Sequence, residues 1–335
     1  MSMQYLTRAL RCKIAIHCAS DAGAPHRVIM VSMQSRHEHN GLLWVDLESP
    51  TTDEIRAIAG EFGIDALVAA ELLLPSVKSR TEFRPSYAYL VLHFPALRHS
   101  HKSREQEVDF IIGKKFIITT HYDTVDPLHK FSKVFEVNSM LDTGEIGDHA
   151  GFLFFHLLKK MYKAIEHEVE YVRHDLGAIE EHIFSHQHVE MVEAISRSAR
   201  DLLNLRQTIE PHRESLKSLE EEGAKFFGDE FAPYLRALSN DYYRVHNHIM
   251  RNTESLHELR ETNNSLLTTK QNETMKVFTI LAFVTFPLSL LAAIFDINTV
   301  DNPFENLNNG FWIVIGIMVF TSVLMFIYFK RKKWL

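Results

Sequence analysis

The chain has 335 residues, 46% hydrophobic and 24% charged, which allows one large globular unit or two smaller ones. A net charge of −7, with no basic stripe carrying interleaved aromatics, argues against a nucleic-acid partner. Cys12 and Cys18 are the only cysteines, so there is no disulfide framework and a reducing compartment suits the soluble part. Met1 to Arg11 lacks the apolar core of a signal peptide, so export of the large N-terminal part is not expected.

In chain order, the first 125 residues or so read as mixed α and β. Short runs rich in β-branched residues predict strands at Lys13–His17, Arg27–Ser32, Leu42–Leu47, Ala88–Phe94, Val108–Ile112 and Phe116–Thr120. Gly113-Lys114-Lys115 would join the last two as a hairpin. Thr51, followed three residues later by Glu54, predicts a capped helix start, and a second short helix is expected over Ala66–Leu74, stopped by Pro75. Strands with helices between them predict an α/β layer.

From about Pro127 helical pattern dominates, with breaks expected near Asp142–Asp148, around Phe184–His188, and at Glu222–Asp229 with its two glycines. Two amphipathic helices, roughly 149–184 and 189–221, would form a hairpin. After Pro233 there is no Gly until Gly310, and up to Asp296 only one further Pro, Pro287. One helix over about 231–296 would be on the order of 100 Å long, and a break near Asn263-Asn264 is the alternative.

Val277–Phe295 and Phe311–Phe329 carry no charge and are each about 19 residues long, enough to cross a hydrocarbon core. Lys270 and Lys276 flank the entry to the first, and Lys330 to Lys333 follow the second. The loop between holds Asp296, Asp301 and Glu305 but no Lys or Arg. The positive-inside rule puts both termini in the cytoplasm and the loop outside, with Trp312 and Trp334 suiting the interfacial belts. This predicts a multi-pass protein of the inner (plasma) membrane with the lipid bilayer as a partner. The expected parts are an α/β cytoplasmic domain (1–126), its helical part (127–230), a stalk helix (231–276), a first span (277–296), an outer loop (297–310), a second span (311–329) and a basic tail (330–335).

Taken in order, these segments resemble the CorA family of divalent-cation channels over nearly the whole length. The resemblance rests on Leu43-Trp44-Val45-Asp46-Leu47 followed by Pro50, Glu61-Phe62-Gly63-Ile64, Val108 to Gly113 leading into Phe116 to His121, and above all Lys270 to Thr279 entering a span with Pro287. The basic tail ending in Trp334-Leu335 is similar too. The family implies a homopentamer with a funnel-shaped cytoplasmic domain, a pore lined by the first span, and Mg²⁺ as transported and regulatory ion, with Co²⁺ or Ni²⁺ as further cargo. Its Gly-Met-Asn signature is matched here by Asp296-Ile297-Asn298: the asparagine is kept and the first two residues differ. Gly-Ile-Asn marks the zinc-transporting ZntB branch, to which Ile297 is similar.

By this resemblance Asn298 is the filter residue. Its neutral amide oxygen accepts contact from hydrated Mg²⁺ without stripping tightly held water, though a lone Asn at a helix end is ordinarily a cap. Asp296 either faces the pore, where a carboxylate ring concentrates cations, or faces headgroups or a neighbouring subunit. Ile297 packs. Asp301 and Glu305 attract cations by field at the outer entrance or are simply solvated.

Counting inward by threes and fours, Ser289, Phe286, Ala282, Phe278 (or Thr279), Met275 and Asn272 share one face of the first helix. An apolar collar there, with Phe286, Phe278 and Met275 as gate candidates, could close by dewetting, while packing alone explains an apolar face equally well. Glu261 matches an acidic pore ring of the family. The family's regulatory metal site implies Glu71 as one carboxylate. The other position holds Ala237, with Asn240 and Asp241 one turn on, so feedback closure by Mg²⁺ is weakened.

Twenty histidines are present. His182 and His186 stand one turn apart, and His186/His188 and His246/His248 are closely spaced, but no third ligand completes a zinc pattern, so solvated surface is the default reading. No nucleophile elbow, phosphate-cradling loop or zinc-protease motif occurs, so no enzyme is expected. The alternatives to a Mg²⁺ channel are a ZntB-like zinc transporter coupled to protons and, third, a non-conducting membrane scaffold.

Overall fold

The computed structural model describes residues 33–39, 41–76, 78–96, 105–123, 125, 127–131, 149–296 and 310–332. The strands expected at Lys13–His17 and Arg27–Ser32, and the break at Asp142–Asp148, lie outside them. Six strands form one sheet: β1 (Met33–His39), β2 (Leu42–Glu48), β3 (Arg80–Phe83), β4 (Ala88–Pro95), β5 (Glu105–Ile112) and β6 (Phe116–His121), in the order β1-β2-β6-β5-β4-β3. Only β2 and β6 run parallel among the paired strands.

The inner strands are near-continuous apolar runs because both faces of the sheet are covered. On one face Val45, Leu47, Tyr89, Val91, Ile111 and Ile118 pack under α1 (Thr52–Phe62) and α2 (Ala66–Glu71) through Ile55, Ile58 and Val68. On the other, Trp44, Leu90, Leu92, Phe110 and Ile117 merge into the core of a helical bundle.

The start of α1 is the expected capping box. Thr51 N–H donates to Glu54 Oε2 at 2.8 Å, while Glu54 N–H donates to Thr51 Oγ1 at 3.4 Å. Gly63, at φ +65°, ends the helix. Thr51→Ala is expected to cost about 1 kcal/mol of local stability, seen as faster amide exchange over residues 52–56 with little change elsewhere. Helix α2 stops at Glu71 rather than Leu74, because Leu74 precedes Pro75 and is sterically pushed out of the helical region.

Beyond the sheet, α3 (Ala150–Phe184), α4 (His188–Ile209) and α5 (His212–Phe227) follow. The expected single helix over 189–221 is two helices. Pro211 has no N–H to continue α4 and starts α5 instead. The break expected over Glu222–Asp229 falls at Gly228 and not at Gly223. That glycine is buried inside α5, where a Cβ would stand 2.9 Å from Leu235, and the helix ends at Gly228 with φ +107°.

Helix α6 (Ala232–Phe295) is unbroken for 64 residues, about 96 Å at 1.5 Å per residue, with no interruption at Asn263-Asn264. Its seam, Leu235, Leu238, Tyr242, Val245, Ile249, Asn252 and Leu256, alternates threes and fours as a coiled coil does, which packs it against α3, α4 and α5. Two polar seam residues fix the register. Asn252 Nδ2 donates to the Val169 carbonyl and Asn263 Nδ2 to the His188 carbonyl, each at 3.0 Å.

One buried histidine joins sheet to bundle and another ties β6 to β2. His212 donates from Nε2 to the His93 carbonyl at 2.7 Å and accepts at Nδ1 from Tyr162 at 2.9 Å. His121 Nε2 lies 3.3 Å from Asp46, and its Nδ1 meets the Asp123 carbonyl at 2.7 Å. The last helix, α7 (Gly310–Arg331), packs against α6, with Phe283 and Phe329 ring centroids 6.4 Å apart.

Candidate functional site

The apolar end of α6 and the whole of α7 are long and apolar enough to cross a membrane. Along α6, Asn272, Met275, Phe278, Phe286 and Ser289 are exposed in the single chain and Ala282 is partly covered. Three large apolar members of this stripe, Met275, Phe278 and Phe286, are 58%, 61% and 73% exposed. Nothing within one chain uses them as core.

The threonines of α6 are turned inward on the helix itself. Thr268, Thr269, Thr274, Thr279 and Thr285 each donate to the carbonyl four residues back, at 2.8–3.0 Å. Thr279 is thereby occupied, which leaves Phe278 as the side chain of the stripe at that level. Pro287 has no N–H for the carbonyl one turn back, so the ladder is interrupted two turns before the end.

Asp296 caps the C-terminus of α6 and is exposed. A carboxylate at the negative end of a helix macrodipole is locally unfavourable, and a nearby cation relieves it. Ile297, Asn298, Asp301 and Glu305 lie outside the described residues. Glu261 is exposed on α6, next to the last turns of the buried seam.

The regulatory candidates, which the family resemblance pairs across a subunit boundary, lie on different faces within one chain. Glu71 ends α2 on one face of the sheet, whereas Asp241 belongs to the α6 seam on the other. Each already has a basic partner. Arg80 pairs with Glu71 and lies 5.6 Å from the centroid of the Tyr89 ring. Buried Asp241 accepts from Arg244 at 2.9 Å, and Arg244 also reaches Glu166 at 3.0 Å. Ala237 packs against the core and Asn240 is exposed.

The histidines make no cluster. His186 adopts φ +70° in the turn between α3 and α4, and its ring lies 5.9 Å from that of His188. Among the described residues no group of three or more His, Cys, Asp or Glu side chains is arranged to hold a metal.

The buried polar groups of the sheet are what pattern reading missed. His93 Nε2 sits 3.3 Å from Glu107 and 3.0 Å from the Ser76 carbonyl. Burial lowers the His93 pKa, and these two partners more than offset it, leaving the group raised. His121 is raised in the same way, burial being outweighed by Asp46 and the Asp123 carbonyl. Burial first, and the Glu107 charge second, hold the Asp109 carboxyl well above the usual range. The signal available was an aspartate between Val108 and Phe110 inside an apolar run.

Over residues 39–331 the chain matches the family described as CorA-like Mg2+ transporter protein. It belongs to that family. Among its relatives is the cobalt/magnesium transport protein CorA of Thermotoga maritima, 25% identical over 294 residues, covering 87% of this chain and 83% of the relative. The complete CorA magnesium transporter structure from Methanocaldococcus jannaschii superposes with a TM-score of 0.76 at 19% identity, covering 88% of this chain and 92% of that one. A cytoplasmic-domain structure of ZntB from Vibrio parahaemolyticus is more distant in fold, with a TM-score of 0.56 at 11% identity over 68% of this chain and 88% of that one. The shared CorA-like architecture is a soluble α/β domain, a long stalk helix and two C-terminal apolar helices, which fit two membrane spans. CorA-like proteins move ions across membranes, and this one is not an enzyme.

Proposed function

We propose that five copies assemble into an inner-membrane channel that admits divalent cations, Mg²⁺ foremost and Co²⁺ or Ni²⁺ with it, driven by the membrane potential. The observation that carries this reading is the unbroken α6, which runs from the soluble core into an apolar segment whose large side chains stay exposed in the single chain, Met275, Phe278 and Phe286 among them. Two spans cannot enclose a water-filled path, so several copies must supply the walls. Asn298 forms the outer filter ring, with Asp296, Ile297 and Glu305 at the entrance. Below it Ser289, Phe286, Ala282, Phe278, Met275 and Asn272 line the path, and Glu261 adds an acidic ring lower down.

With Lys270, Lys276, Lys330 and Arg331 on the cytoplasmic side, cations enter through the loop that carries no basic residue. A divalent cation gains about 4.6 kcal/mol per 100 mV on moving inward, so no nucleotide is needed. Arg80 already neutralises Glu71, and Ala237 supplies no carboxylate. Mg²⁺-dependent closure through Glu71 and Asp241 is therefore weak.

Uptake into proteoliposomes loaded with Mg²⁺- or Zn²⁺-sensitive dye tests the reading. Mg²⁺ entry that follows an inside-negative potential, with no requirement for a proton gradient, is the expected result. Ile297 favours a second reading, a ZntB-like zinc transporter coupled to protons. Zinc entry alone, rising with an inward proton gradient, would establish it instead. Vesicles that pass neither ion at any potential would leave a non-conducting scaffold.

A further inference from the structure

A second oxygen-rich centre lies inside the soluble domain, well away from the spans. By strand register, Glu107 and Asp109 of β5, Tyr89 and His93 of β4, and Thr120 of β6 all project to the face covered by α1 and α2. Tyr122 follows directly, and its charge environment is set by the same two carboxylates. Asp109 and Thr120 are each 1% exposed and Tyr89 is 0% exposed.

Six buried oxygens here have no hydrogen-bond partner: Tyr89 Oη, Glu107 Oε1, both Asp109 carboxylate oxygens, Thr120 Oγ1 and Tyr122 Oη. Buried polar atoms are almost always satisfied, so this concentration on five neighbouring side chains marks a place where something else binds. The other Glu107 oxygen is taken by Ser76 N–H at 2.7 Å and by His93. The Glu107 and Asp109 carboxyl groups adjoin closely enough to share a proton.

We infer that Glu107 and Asp109, with the hydroxyls of Tyr89, Thr120 and Tyr122, form an internal site for a hydrated hard divalent cation of the Mg²⁺ class. The donor set is entirely oxygen and includes two carboxylates, which suits Mg²⁺ and disfavours softer metals that prefer nitrogen or sulfur. A proton shared by the two carboxyl groups would engage two of the six oxygens and leave four. A cation that keeps several waters has about six positions and reaches hydroxyls too far apart to bond one another directly. The bound ion also sets the connection after α2, because Ser76 is tethered to Glu107, while Arg80 beside Tyr89 holds Glu71. The site is independent of the proposed pore.

Hydrogen exchange of the full-length protein in detergent, with EDTA or with Mg²⁺, tests this. At free Mg²⁺ about ten times the dissociation constant, amides of residues 105–112 and 116–122 should exchange about tenfold more slowly in wild type. Asp109→Asn keeps the shape and removes one buried charge. It should melt at least as high as wild type in EDTA yet lose the Mg²⁺ response, and Thr120→Val should weaken it. Asn298→Ala should keep the response, which separates this site from the filter. Wild-type exchange that is the same in Mg²⁺ and EDTA would overturn the inference and leave a centre of water and protons. So would an Asp109→Asn protein that responds as wild type does.

Discussion

Asn298→Ala in proteoliposomes should cut Mg²⁺ entry by at least about tenfold, equivalent to about 1.4 kcal/mol on the rate-limiting barrier, while leaving assembly and melting temperature unchanged. Mg²⁺ sheds inner-shell water reluctantly, so a filter must recognise the hydrated ion through neutral acceptors at its outer shell. Alanine removes the acceptor from every copy at once. Asn298→Asp is the complementary variant: a ring of carboxylates should bind a divalent ion more tightly and pass it more slowly. Its expected signature is a lower half-saturation concentration with a reduced maximal flux. Dye-reported flux equal to wild type in the alanine variant would remove Asn298 from the filter and leave Asp296, the exposed cap of α6, as the residue to test next.

The second large effect concerns pH. His212 is fully buried, and burial, reinforced by the His93 charge and only partly offset by the bond to the His93 carbonyl, lowers its pKa from 6.5 to about 4. Below pH 6.5 the unfolded chain takes up a proton that the folded chain refuses, so stability falls as pH drops from 6.5 to about 4. The full window is worth about 3 kcal/mol at 1.36 kcal/mol per pKa unit. His93 and His121 have the opposite sign: their raised values add stability that is complete below the unfolded pKa and lost as pH rises through the folded one. Asp109, also raised, loses stability as pH rises above the ordinary carboxylate range. The difference between wild type and His212→Gln isolates the acid limb. Denaturant unfolding at pH 7.5 and pH 5 should show the variant destabilised at the higher pH and the gap narrowing at the lower. A constant gap would mean that His212 does not titrate in this range.

The inner strands and the long helix were legible because their signals are continuous. Val108–Ile112 and Phe116–Thr120 are runs dominated by apolar and β-branched residues joined by Gly113-Lys114-Lys115, and α6 has only Pro287 to interrupt it after its first turn. The edge strands were not legible. Among the described residues Met33–His39 and Arg80–Phe83 pair on one side only, and both are mostly polar in sequence, as edges are to discourage further pairing, so no apolar run marks them. In the helical part the break over Glu222–Asp229 was legible from its two glycines but not which of them makes it, because Gly223 serves what packs on it, Leu235 of another helix. Of the candidate site, the α6 stripe was readable from spacing alone. The pairing of Glu71 with Arg80 was not, since nine residues of turn and strand start separate them. The polar centre at Asp109 was hidden for a similar reason: alternation assigns a residue to a face but does not reveal how many orphan oxygens from neighbouring strands converge there.

The length of α6 also gives the molecule a lever arm. A rod of about 96 Å that tilts by about 3° at Ala232 carries its far end, Phe295, sideways by about 5 Å, roughly one helical pitch. The first half of that rod is clamped by α3, α4 and α5, and among the described residues the apolar half packs against α7. Angular changes too small to disrupt the packing of the seam therefore become large displacements at the apolar end of the helix. The interrupted ladder at Pro287 places a compliant joint near the tip, where the amplified motion arrives.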